Sequence, residues 1–252
     1  MNLWLENVAK FEIGHYLENL LESFPDKKIK VLDIGAGTGG DWILLIEKYS
    51  NLELHLWEPF QDSKIVLNNK FNNVSVVIHH SLDDIEDKFD YLISLSVLEH
   101  VKRLDLHFRS IKRLLKFNGT YICNFDDGHF RYMSNNIWSF SANKLAMSET
   151  ARTLISKYFG VLYSVGKFQK KVDLQTLIIE LNKVNLELVD IDFRNISALK
   201  NVCKFLQDTD QKHEYAEMWL NFEKYINIIL LDKPTLREKV FASRTAYIKH
   251  IN

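Results

Sequence analysis

The sequence is poor in residues that break or cross-link a chain. Three prolines in 252 residues, and no Gly/Ser-rich tract, argue against two loosely tethered domains. The two cysteines, Cys123 and Cys203, are too few for a disulfide framework and lack metal-ligand spacing. Cys123 sits in an apolar strand-like run and reads as a reduced, buried thiol. Long hydrophobic runs are missing too. The apolar stretch Ile226 to Leu231 contains an Asn and falls far short of the ~20 residues that span a bilayer. Met1 to Lys10 carries Glu6 and has no signal-type apolar core, so the expected setting is a reducing cytoplasm without membrane attachment. An excess of one charge is also absent: 32 Lys and Arg stand against 33 Asp and Glu. A formal net charge of -1 gives no global field toward nucleic acid or an anionic membrane, although Lys167, Lys170 and Lys171 form a local basic group. No internal repeat or low-complexity tract occurs.

What is present is an ordinary globular composition, 46% hydrophobic and 26% charged, long enough for one α/β domain over residues 1–252. Apolar residues at helical spacing predict an N-terminal helix over Leu3 to Phe24, within the leading segment 1–28. Strands are expected at Lys30–Ile34, Leu52–Trp57, Val74–Ile78, Phe89–Leu95 and Thr120–Phe125. Helices are expected between them near Asp41–Tyr49, Asp62–Phe71 and Leu104–Leu115, with Asn118-Gly119 as a turn. That alternation implies right-handed crossovers and a mostly parallel, doubly wound sheet. Later elements are a helix at Leu174–Lys183, a strand at Leu186–Phe193, a helix at His213–Leu230 and a seventh strand at Lys239–Ile248. Between the fifth and sixth strands, residues 133–172 read as a helical cap insertion. The aromatics Tyr132, Trp138, Phe140, Tyr158, Phe159, Tyr163 and Phe168 in or beside it serve lid packing or an acceptor pocket.

Four of the nine glycines fall within six residues, Gly35, Gly37, Gly39 and Gly40, directly after a strand and before a helix. Glycine there permits positive φ and a close ligand approach, at the sheet edge where doubly wound folds bind ligands. Gly35, Gly37 and Gly40 also satisfy the dinucleotide pattern G-x-G-x-x-G, which alone is weak. Asp33 opposes a nicotinamide or flavin site, because an apolar residue usually stands there.

Three segments together, Val31 to Gly40, Glu58 after the second strand and Ser94 to Val101 with its Leu-Glu-His-Val ending, carry a more specific likeness. In order and spacing the sequence resembles the class I S-adenosylmethionine-dependent methyltransferases, particularly their small-molecule branch, over residues 30–125. The resemblance implies a Rossmann-like seven-stranded fold with S-adenosyl-L-methionine as cofactor. It implies cofactor contacts from Asp33, Gly35, Ala36, Gly37 and Gly39, and from Glu58, Pro59, Ser81, Leu82 and Ser96. Glu58 takes the place of the acid that accepts hydrogen bonds from both ribose hydroxyls; a carboxylate has the lone pairs for this. The family's Gly-Asp after the third strand is replaced by His80-Ser81, so Ser81 or, two residues on, Asp83 would meet the adenine amino group.

Methyl transfer asks the protein to position an acceptor and, for a hydroxyl or ammonium, to remove a proton. His100, after the fourth strand, is the first candidate base; its other reading is a cap of the following helix. Asp126 and His129, after the fifth strand, are candidates to contact the acceptor or act as base, or else belong to an Asx-type turn. Arg131 and Arg152 serve an anionic acceptor or solvent. A metal shared by Glu99, His100, Asp126 and His129 has no spacing motif behind it, and no metal is expected. His79 and His80 point to opposite faces if the strand continues. No Asn/Asp-Pro-Pro-Tyr/Phe follows the fourth strand, which lowers the case for base methylation of nucleic acid. The expected partner is a small-molecule acceptor methylated on oxygen or nitrogen, with a sugar or glycan precursor as one guess and a homodimer compatible. The competing readings are a non-catalytic cofactor-binding partner on the same fold, and a nicotinamide-dependent oxidoreductase.

Overall fold

The computed structural model describes residue 5 and residues 7–126, 172–196 and 211–251. Helix α1 (Val8–Ser23) is capped by Asn7, whose side-chain oxygen accepts from the backbone N–H of Ala9 (2.9 Å) and Lys10 (3.3 Å). The order continues β1 (Ile29–Ile34), α2 (Trp42–Lys48), β2 (Leu52–Trp57), α3 (Gln61–Lys70), β3 (Val77–His79) and β4 (Phe89–Leu95). A 3-10 turn at Leu98–His100 leads to α4 (Leu104–Leu114) and β5 (Leu115–Asp126). Beyond the undescribed stretch come α5 (Leu174–Asn182), β6 (Leu186–Ile196), α6 (Lys212–Ile229), α7 (Pro234–Val240) and β7 (Phe241–His250).

The strands form one sheet in the order β3-β2-β1-β4-β5-β7-β6. The first five are parallel, and β7 runs antiparallel between β5 and β6. Alternation along the central strands sends side chains to two apolar layers. Val31, Leu54, Leu56, Ile93 and Ile122 pack with Leu17 and Leu21 of α1, Trp42 and Leu45 of α2, and Leu67 of α3. Leu32, Ile34, Leu92, Tyr121 and Cys123 pack with Phe108 and Ile111 of α4 and Leu177 and Leu181 of α5. β1 and β4 are covered on both faces, and apolar residues predominate in each, as in a parallel sheet packed on both sides.

Three expectations are corrected. The third strand is Val77–His79, later and shorter than Val74–Ile78, because residues 74–76 are spent on turns: Val74 N–H donates to Phe71 O and Val76 N–H to Val74 O. The fifth strand starts at Leu115, straight from α4, and Asn118-Gly119 forms a bulge within it. The pairing jumps from Phe89–Leu115 to Tyr91–Thr120 there. Residues 234–240 form α7, with Pro234 in its first turn, so β7 begins at Phe241 instead of Lys239. All but Val172 of the cap predicted over 133–172 lies outside the described residues.

Candidate cofactor and active site

The loop after β1 is held by the end of β2. Gly35 N–H and Ala36 N–H both donate to Trp57 O, at 2.8 and 3.0 Å. Gly37 N–H then donates to Glu58 Oε2 at 2.7 Å, while Glu58 Oε1 accepts from Phe60 N–H at 2.8 Å. Two backbone donors thereby aim a carboxylate that is only 3% exposed, and each oxygen retains acceptor capacity.

The glycines do different jobs. Gly35, Gly37 and Gly39 all have positive φ. A Cβ on Gly37 would meet nothing within 4 Å among the described residues and would project into open space. A Cβ on Gly35 would fall 2.6 Å from Val97 Cγ2, and one on Gly39 would run into Phe71 and Leu67. Gly39 therefore allows the loop to seat against α3.

Beside the loop is a cavity of about 800 Å³, within the roughly 300–1,000 Å³ usual for small-molecule and cofactor sites. Gly35, Gly37, Glu58, Pro59, Ser81, Leu82, Ser96 and His100 all line it, as does Asp83. Ser81 Oγ accepts from Asp83 N–H at 3.1 Å, leaving it one further lone pair. Arg113 steadies this turn by donating to Leu82 O (2.6 Å) and Ile85 O (2.5 Å). Ser96 takes a left-handed φ of 59°, and its N–H donates to Asn124 O at 2.8 Å. That peptide is the last link between β4 and β5 before the chain swings into the 3-10 turn bearing His100.

Four predicted residues do not line this cavity. Ala36 is in the loop, and Gly39 sits under Phe71. Asp126 ends β5, buried and in register with Ser243 of β7, so the structure does not bring it to the cavity wall with His100. Asp33 is buried beneath the loop, where Oδ2 accepts from Trp42 Nε1 at 2.6 Å. Burial pushes the Asp33 carboxyl up to about 7 against the opposing Trp42 hydrogen bond. Its Oδ1 is buried without a hydrogen-bond partner among the described residues. His129, Arg131 and Arg152 lie outside the described residues.

Sequence reasoning missed one whole wall, formed by Arg103, Leu106, His107, Arg109 and Ser110. His107 Nε2 lies 3.0 Å from the Tyr121 hydroxyl, itself 2.6 Å from Ser94 Oγ in the buried sheet. Trp57 also lines the cavity, and its indole N–H is buried without a hydrogen-bond partner among the described residues. The apolar spacing of α4 marks its buried face, but nothing local marks the polar face as a cavity wall.

The sheet order, the glycine loop and the acid at the end of β2 define the class I methyltransferase arrangement. A family model described as a methyltransferase domain matches residues 6–156. The chain belongs to this family and is an S-adenosylmethionine-dependent class I methyltransferase. Among similar proteins, the ubiquinone biosynthesis O-methyltransferase of Pelagibacter ubique is 26% identical over 222 residues, covering 81% of this chain and 84% of that protein. Polyketide synthase PksR of Bacillus subtilis is 29% identical over 144 residues, 51% of this chain but only 6% of that long protein. The fold is shared with two solved structures. One is the O-methyltransferase of a trans-AT polyketide synthase from Brevibacillus brevis in complex with S-adenosyl-L-homocysteine, at TM-score 0.52 and 15% identity, covering 93% of this chain and 71% of that one. The other is the cyclopropane synthase MmaA2 from Mycobacterium tuberculosis, at TM-score 0.54 and 12% identity, covering 88% and 78%.

The site's residues fit the cofactor, S-adenosyl-L-methionine. A cradle that a Cβ would fill stands at Gly37, a buried carboxylate faces it from Glu58, and Asp33 keeps an unused oxygen beneath the loop. No described helix is long and apolar enough to cross a membrane.

Proposed function

We propose that the protein methylates a hydroxyl oxygen of a small-molecule acceptor. The observation that carries this reading is a histidine, His100, in the wall of the cavity that also contains Gly37 and Glu58. The likeness to an O-methyltransferase over four-fifths of both chains supports oxygen as the accepting atom.

In this reading Glu58 accepts from the ribose hydroxyls, and Gly35 and Gly37 leave room for the methionyl part. Asp33 offers its unused Oδ1 beneath the loop as an acceptor for the ammonium. Ser81 or Asp83 accepts from the adenine amino group. The bound cofactor supplies a methyl carbon on a sulfonium, a good leaving group, so the chain needs no nucleophile of its own. His100 would accept the proton of the acceptor's hydroxyl, which makes that oxygen the stronger nucleophile. Such a base contributes about 10²-fold or more. Leu82, Val97, Val101 and Leu106 supply an apolar part of the cavity wall.

The test is incubation with methyl-labelled cofactor and a small-molecule extract, followed by identification of the labelled product. Sugar, phenol and polyketide-type hydroxyls are separate arms of a follow-up panel. An oxygen-linked methyl group is expected. A nitrogen- or carbon-linked methyl would overturn the choice of atom. Tight cofactor binding with no labelled product would turn the reading toward a cofactor-binding partner protein.

A further inference from the structure

Away from this cavity, α1 and α6 pack through Val8, Phe11, Ala216 and Leu220. Their pairing is fixed from β6. Glu223 of α6 accepts from the N–H groups of Asn195 (2.6 Å) and Ile196 (2.9 Å), and Arg194 reaches Glu12 of α1 at 2.7 Å. Along this seam His15 of α1 faces His213 and Glu217, which lie one turn apart on α6. The two imidazoles are nearly parallel, with centroids 5.4 Å apart at 14°, and Phe11 packs edge-on against both, at 4.4 and 5.5 Å.

We propose that His15, His213 and Glu217 form a binding site for a divalent transition-metal ion, of which Zn²⁺ is the probe, clipping α1 to α6. Each residue offers one donor atom, and the three lie within 4.8 Å of one another. Glu217 Oε1 is 3.2 Å from His213 Nε2 and 4.0 Å from His15 Nε2. Tetrahedral zinc with bonds near 2.0–2.2 Å holds its donors about 3.3 Å apart. The α6 pair already has that spacing, and donors no more than 4.8 Å apart reach it by closing about 1.5 Å or less through side-chain rotation.

Chemistry and environment agree with the spacing. Two imidazoles and one carboxylate suit zinc, nickel, cobalt or copper and disfavour the all-oxygen preference of calcium and magnesium. His15 Nε2 is buried and has no hydrogen-bond partner among the described residues. Glu18, on the same helix as His15, adds negative potential beside the ring, as does Glu217. Glu217 is about half exposed, which leaves a route in from solvent and room for water as a fourth ligand. None of the three residues lines the cofactor cavity.

The experiment uses tag-free full-length protein, treated with chelator, dialysed and titrated with Zn²⁺ by calorimetry. His213→Ala and Glu217→Gln are measured alongside, with S-adenosylhomocysteine affinity as the check that each variant is folded. The parent is expected to bind one Zn²⁺ per chain at micromolar affinity or better and to melt several degrees higher with it. Either variant should bind Zn²⁺ at least tenfold more weakly and lose that shift while keeping its S-adenosylhomocysteine affinity. Parent binding no tighter than millimolar, or unchanged Zn²⁺ affinity in either variant, overturns the site.

Discussion

Glu58 and Gly37, twenty-one residues apart, are joined by a 2.7 Å hydrogen bond from the glycine N–H to a buried carboxylate oxygen. The bond ties the tip of the glycine loop to the end of β2, so one residue shapes the loop and also faces the cavity that the loop borders. Removing Glu58 therefore has two consequences. Two charge-assisted hydrogen bonds to the ribose at about 1.5 kcal/mol each amount to about 3 kcal/mol, roughly a hundredfold in affinity. Glu58→Ala should weaken S-adenosylhomocysteine binding by that factor. Glu58→Gln should not restore it, because one amide face cannot accept from Gly37 N–H or Phe60 N–H. Calorimetry on the two variants checks this.

Gly37→Ala and Gly39→Ala should separate binding from folding. At Gly37 a methyl group meets open space, so the fold bears only the left-handed backbone cost of roughly 1–2 kcal/mol. A melting-point fall of about 3–6 °C is expected, with cofactor affinity down at least tenfold. At Gly39 the methyl group collides with Phe71, and overpacking adds roughly 1–3 kcal/mol. Its melting point should fall about twice as far. Equal thermal shifts would contradict the division of labour.

Asp33 sets a pH dependence of stability. Its folded pKa of about 7 exceeds the ordinary carboxyl value of 3.8, so the folded state holds the proton more tightly. That contribution is complete below about pH 4, is lost as pH rises through 7, and is flat above it. The span is about 4 kcal/mol at most. The histidines His15, His55 and His79, with pKa values lowered by burial, act in the opposite sense and cancel in a comparison of variants. Denaturation at pH 5 and pH 8 should show a smaller loss at high pH in Asp33→Asn than in the parent. Identical pH slopes would remove Asp33 from the account.

His100→Gln should lower kcat about a hundredfold while cofactor affinity changes less than threefold. Loss of both together would mean that His100 shapes the cavity and does not move the proton.

The sequence is most legible where a segment is buried on both sides. Leu52–Trp57 and Phe89–Leu95 match the observed strands end to end; Leu54 to Leu56 in one and Leu92 to Ser94 in the other are buried without a break, whichever face each residue points to. It misleads at Val74, where an apolar residue belongs to a turn, and at Asn118-Gly119, where neighbouring strands turn a hairpin signal into a bulge. At the site, Gly37 and Glu58 are readable because their chemistry is local. The wall from Arg103 to Ser110 is not, because polar residues on an amphipathic helix look alike whether they face solvent or a cavity. The cluster of His15, His213 and Glu217 spans some two hundred residues, a distance at which ligand spacing has no meaning and only the packing of α1 on α6 reveals it.

The most direct test of the central claim is calorimetric titration of purified protein with S-adenosylhomocysteine, with NADH as the control. One site per chain of micromolar or tighter affinity for S-adenosylhomocysteine, weakened about a hundredfold in Glu58→Ala, and no heat with NADH, is the predicted result. No binding of S-adenosylhomocysteine, or binding unaffected by Glu58→Ala, would contradict it.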